Sequence, residues 1–165
     1  MHPTHIPLRL ATGAFILNSG LGKLKADEET AQGLHGMAST AYPAVKDMKP
    51  KDFTELLAYG EIALGTALLA PMVSSAVAGT ALTAFGIGTL GLYFKLPGMT
   101  MDDGIRPTPE GLPIAKDVWM VGAGLTLATQ GALGAAKSTA KGVTSSAKGL
   151  ASDIGQSTKD ALPFG

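Results

Sequence analysis

One carboxylate, Glu61, stands at the head of a stretch from Ile62 to Phe94 that carries no charged side chain. An acid in such a setting does one of two things. Either a nearby cation and hydrogen-bond donors hold it ionised and it locks helices together, or it exchanges a proton or a ligand. Its possible partners are few: Asn18, Ser19 and Lys23 in the first apolar segment, where Arg9 is the other cation. A second polar pair, Thr126 and Gln130, lies one helical turn apart in the last apolar segment, on a row with Gly122 and Gly134; Ala76, Thr80, Ala84 and Gly88 form a similar row earlier. Such rows let helix backbones approach closely, and Thr126 with Gln130 would alternatively line a polar site for a quinone or small substrate. Other chemistry is sparse. The absence of cysteine excludes a disulfide framework, a thiolate nucleophile and Cys-ligated zinc or iron–sulfur centres. His2, His5 and His35 have no carboxylates at ligand spacing and read as solvated interfacial residues. Gly86-Ile87-Gly88-Thr89-Leu90-Gly91 has the spacing of a dinucleotide-binding turn, but it lies inside an apolar run with no strand before it, so a packing role is expected.

The elements that must hold these groups are long apolar helices. A hydrocarbon core of roughly 30 Å takes about 20 helical residues. Four segments have that length and composition, at about 6–24, 53–70, 76–94 and 118–136, and Pro71 to Ser75 turn the middle two into a helical hairpin. The fold class is therefore all-α, an integral membrane four-helix bundle. Frequent glycine, 22 of 165 residues, suits close packing of such helices. Arg9 and Lys23 lie near the ends of the first span, where long side chains snorkel to the headgroups, while Asn18 and Ser19 need partners inside. Starting the second span at Phe53 puts Glu61 about 12 Å deep, level with Asn18 and Ser19 and within reach of Lys23. That matched depth predicts a cluster holding the carboxylate. The N-terminus lacks a basic leader region, so the first segment reads as a retained helix.

Between the spans the chain is polar. Ala26 to Ser39 is expected to form a short interfacial helix, because Asp27, Glu28 and Glu29 favour a helix N-terminus. Lys95 to Lys116, with four prolines, reads as irregular. The tail 137–165 is rich in Lys, Ser, Ala and Gly, which suits a flexible linker. On a helical wheel, however, Val143, Leu150, Ile154 and Ala161 oppose Lys137, Lys141 and Lys148, so the tail is expected to be disordered in water and to become an interfacial helix on anionic lipid. Those lysines, which meet no acid before Asp153, place both termini in the cytoplasm. A net charge of zero argues against a nucleic-acid partner.

Arg9 followed by Gly13, Phe15, Gly20 and Lys23-Leu24, then Glu61 with Gly65, and Lys116-Asp117 leading into Val118 to Leu127, resemble the DoxX family of small four-helix bacterial membrane proteins. The resemblance covers roughly residues 6–136; the long first loop and the lysine-bearing tail depart from the family's compact pattern. It implies a bacterial inner-membrane protein linked to redox metabolism, with Arg9 and Glu61 as the family-like intramembrane charges. The expected function is a noncatalytic membrane subunit of a redox or respiratory-chain assembly, with other membrane subunits as partners. A quinone-reactive oxidoreductase subunit and a small-solute carrier are the alternatives. With no redox centre of its own, the chain would need a quinone or a partner's cofactor for electron transfer. A carrier would show internal repeats and broken helices, and no clear repeat is visible.

Overall fold

The computed structural model describes residues 3–160, with side chains described through Ser152; His2, the side chain of Ile154 and Ala161 lie outside these. The expected helices form where their end signals stand. Pro7 in its first turn opens α1 (Ile6–Lys23), and Asp27 caps α2 (Glu28–Ala41) by accepting a 2.9 Å hydrogen bond from the Thr30 amide. Pro50 starts α3 (Pro50–Leu69), which ends before Pro71, and Ser74 caps α4 (Ser75–Lys95) through the Val77 amide. The short α5 (Leu112–Ala115) precedes α6 (Val118–Asp160). The architecture is all-helical among the described residues, with one isolated bridge, Thr100 to Pro107, in the second loop. That loop is more ordered than its prolines suggest. Gly104 supplies the positive φ of its turn, Asp103 pairs with Arg106, and the Tyr93 hydroxyl donates to Ile105 O.

The long helices associate as two antiparallel pairs. Gly13 and Gly20 of α1 lie against Leu68 and Ala58 of α3, while Gly65 of α3 lies against Leu17. In the second pair Gly79 meets Gly124 and Ala128, Gly86 meets Val121, and Gly131 meets Ala76. The pairs join through a core of Ile16, Leu64, Leu68, Ala78, Leu82 and Leu127. An apolar groove bordered by Leu56, Ala67, Ala81 and Phe85 stays open between α3 and α4. The N-terminal turn and the α3–α4 hairpin share one end of the bundle, and the two long loops share the other.

Of the small-residue rows, Ala76 packs against Gly131, and the rest turn away from the partner helix. Thr80, Ala84 and Gly88 are exposed, as are Gly122, Thr126, Gln130 and Gly134. The contact is made instead by Gly79, Thr83 and Gly86 against Gly124, Ala128 and Gly131, spaced four then three, which follows the 3.6-residue turn around one face. Both rows are rich in small residues, so composition does not separate them. Gly79→Ala is expected to cost about 1–3 kcal/mol, because its Cβ would stand 2.4 Å from the Ala128 amide and 2.6 Å from Gly124 O. Gly88→Ala meets nothing within 4 Å and is expected to be neutral or to gain up to about 1 kcal/mol of helix propensity. Thermal unfolding of the two variants side by side in mild detergent checks this; equal midpoints would disprove the packing face.

Two expectations change in scale. Among the described helices one, α4, is long and apolar enough by length and composition to cross a membrane. The others are diluted by Arg9 and Lys23 in α1, by Glu61 and the acidic first turns of α3, and by Gly, Thr and Gln130 in α6. The tail continues α6, which runs unbroken to Asp160, with every residue from Ala132 through Ser152 exposed. Alanine favours helix, and the hydroxyls fold back on the preceding turn, as Ser138 does on Gly134 O and Thr144 on Ala140 O. Val143 and Leu150 are among its exposed apolar side chains.

Candidate functional site

Each end of the bundle holds one buried polar cluster. At the hairpin end α3 stops before Pro71 with its last carbonyls lacking helical partners. Arg9 supplies them. Its Nε donates to Leu68 O at 2.6 Å, Nη2 to Ala67 O and Ala70 O at 2.8 and 2.9 Å, and Nη1 to Val73 O at 2.9 Å and Ser75 Oγ at 3.2 Å. All five N–H groups of the guanidinium are used, and the residue is 1% exposed. Arg9 therefore does not snorkel; a concentrated set of unpaired carbonyls at the negative end of a helix dipole holds it inside. His5 is likewise buried, with Nδ1 2.8 Å from Ser75 Oγ, rather than solvated. His35 donates from Nε2 to Val45 O and sets its ring edgewise on Phe53.

At the loop end Glu61 is 4% exposed. Lys23 Nζ donates to Glu61 Oε2 at 2.9 Å and to Ser19 Oγ at 2.7 Å. The expected cluster thus forms around the lysine, with Ser19 bonded to the cation instead of the acid. Asn18 is exposed, because it sits about 100° around α1 from Ser19, and it does not join. Asp117, which precedes α6, completes the group beside Thr89, whose hydroxyl donates to Gly86 O at 3.0 Å. Partial burial pushes the Asp117 carboxyl above the usual carboxylate range; Thr89 opposes the shift, Glu61 adds to it and Lys23 opposes it.

These groups border a cavity of about 510 Å³. Phe15, Leu57, Phe85 and Met120 form its walls from all four long helices, and α2 covers it with Leu34 and Met37. Tyr42, at the end of α2, fastens that cover by donating its hydroxyl to Gly88 O at 2.7 Å, with Lys95 Nζ 4.3 Å from the ring centroid. Gly88 and Gly91 of the dinucleotide-like spacing therefore serve this contact, and no strand precedes them.

Thr126 and Gln130 do not line the cavity. Thr126 donates to Gly122 O on its own helix, and Gln130 borders a shallow hollow at the hairpin end beside Ser74 and Lys137. The residues missed from sequence are Asp117 and Thr89. An acid immediately before the fourth apolar segment, at the same end as Lys23, was the available signal for Asp117; Thr89 gave none. No known family model, characterised protein or solved structure matches the chain.

Proposed function

We propose that the chain is a multi-pass membrane protein whose four long helices cross the bilayer, and that it serves as a noncatalytic accessory subunit of a bacterial redox or respiratory-chain assembly. One observation carries the membrane reading. Every long helix turns large apolar side chains outward, among them Leu10 (53% exposed) on α1, Leu56 and Tyr59 on α3, Ile87 and Phe94 on α4, and Trp119 (75%) and Leu125 on α6. Meanwhile Arg9, Lys23 and Glu61 point inward and are paired. A water-soluble bundle of this size would invert that distribution, since contiguous apolar surface in water drives association. In hydrocarbon the arrangement is the stable one, because buried charges must be paired or hydrogen-bonded.

The accessory role draws on the DoxX resemblance of Arg9, the glycines of α1, Glu61 with Gly65, and Lys116-Asp117. It also draws on the absence of cysteine, which removes the common protein ligands of an electron-carrying cluster. The exposed outer half of α6 offers further surface to a neighbouring subunit. The chain is expected to stay with carbonate-washed membranes and, after gentle detergent extraction, to copurify with respiratory or redox subunits identified by mass spectrometry. Recovery in the soluble fraction would overturn the membrane reading. A chain that elutes alone from native membranes would overturn the accessory role while leaving the membrane reading intact.

A further inference from the structure

We propose that the cavity beneath α2 binds a small lipophilic cation, an aryl or alkyl amine whose ammonium group stands between Asp117 and the free carboxylate oxygen of Glu61. The inference uses only the cavity and its charges and does not rest on the accessory-subunit reading.

The charges lining the cavity do not balance. Lys23 is the one cation among the lining residues, and it faces two carboxylates, Glu61 and Asp117. Lys23 already spends two of its three N–H groups, on Glu61 Oε2 and Ser19 Oγ. Among the described residues the hydrogen bond of Glu61 runs through Oε2, and Oε1, which is not a fully buried atom, remains open to an incoming donor. The Thr89 hydroxyl near Asp117 donates to Gly86 O at 3.0 Å, so it leaves the Asp117 carboxylate without a charged counterpart of its own. The head of the cavity is therefore rich in acceptors and short of donors. A donor that also carries positive charge meets both the spare acceptors and the excess negative charge, and a charge-assisted hydrogen bond is stronger than a neutral one.

The rest of the wall selects the body of the ligand. Phe15, Leu57 and Phe85 give an apolar lining, and Met37 above them is unbranched and adapts to irregular shapes. A carboxylate ligand would add a third negative charge to the head. A ligand whose head only accepts, such as a quinone carbonyl, would find one remaining lysine proton. An alcohol would donate one hydrogen bond but leave the charge unmatched. The raised Asp117 carboxyl is consistent with an acid waiting for a counter-charge.

The test compares three probes of one shape. Phenylbutylamine, phenylbutanol and phenylbutyrate are titrated calorimetrically into the purified full chain in a nonionic detergent. The amine is expected to bind about tenfold more tightly than the alcohol, the order of one charge-assisted hydrogen bond, with the acid weakest. Asp117→Asn is expected to bring the amine down to the alcohol's affinity and leave the alcohol unchanged. Met37→Trp, which fills the cavity from its roof, is expected to weaken all three probes and decides the site if Asp117→Asn does not fold. The proposal is overturned if the alcohol, the acid or a short benzoquinone binds as tightly as the amine. It is equally overturned if Asp117→Asn keeps the amine's advantage, if Met37→Trp leaves binding unchanged, or if no probe binds.

Discussion

Arg9→Met is expected to destabilise the bundle by about 3–5 kcal/mol, the largest effect of any single substitution outside the helix contacts. Methionine fills a similar volume, so the loss is one of hydrogen bonds and charge rather than packing. Five donors vanish, and the carbonyls of Ala67, Leu68, Ala70 and Val73 lose the partner that holds the end of α3 and the turn after it. Arg9→Lys should recover only part of the loss, because an ammonium has three donors in a compact head and cannot span the same set. Equilibrium unfolding in mixed detergent measures both variants. An unfolding midpoint for Arg9→Met equal to that of the native chain would show that the hairpin holds itself.

Glu61→Leu is expected to cost about 2 kcal/mol, toward the lower end for breaking an interior ion pair, because the Lys23 side chain is 20% exposed and can turn toward water once its partner is gone. The companion change Lys23→Met should then cost less in the Glu61→Leu background than alone. A coupling of about 1 kcal/mol or more in the double-mutant cycle is the expected reading. Strict additivity would mean that the 2.9 Å contact contributes nothing to holding α1 on α3.

The helices were legible because their stop and start signals are local. Asp27 and Pro71 act on the backbone within a turn of where they stand, and the structure begins or ends a helix at each, while Pro50 starts α3 three residues before the expected Phe53. The Lys23–Glu61 pair was legible for another reason: a charge in an apolar run needs a partner, and the matched depth of two antiparallel helices leaves few choices. What stayed hidden depended on rotation about a helix axis or on contacts across the chain. Ser19 and Asn18 are neighbours in sequence but diverge around the helix, and either could have faced Glu61. The inward turn of Arg9 could not be seen because its acceptors are backbone carbonyls, which every residue has. In the tail, composition suited a linker and the helical wheel an interfacial helix; the structure carries a helix through it, where Ser and Thr hydroxyls bond back to the preceding turn.

The two glycine-lined pairs have a mechanical consequence. Within each pair the backbones are too close to slide without collision, whereas between the pairs an open groove remains beside α3 and α4. The Ala70 to Ser74 turn is the covalent joint between the pairs, and Arg9 rivets it by bonding α3 carbonyls and Ser75 of α4 together. The cavity sits at the far end of the lever, walled by Leu57 from one pair and Phe85 and Met120 from the other. Leu57 stands about 18 Å along α3 from the joint, so a rocking of about 4° at the rivet would shift that wall of the cavity by about 1 Å.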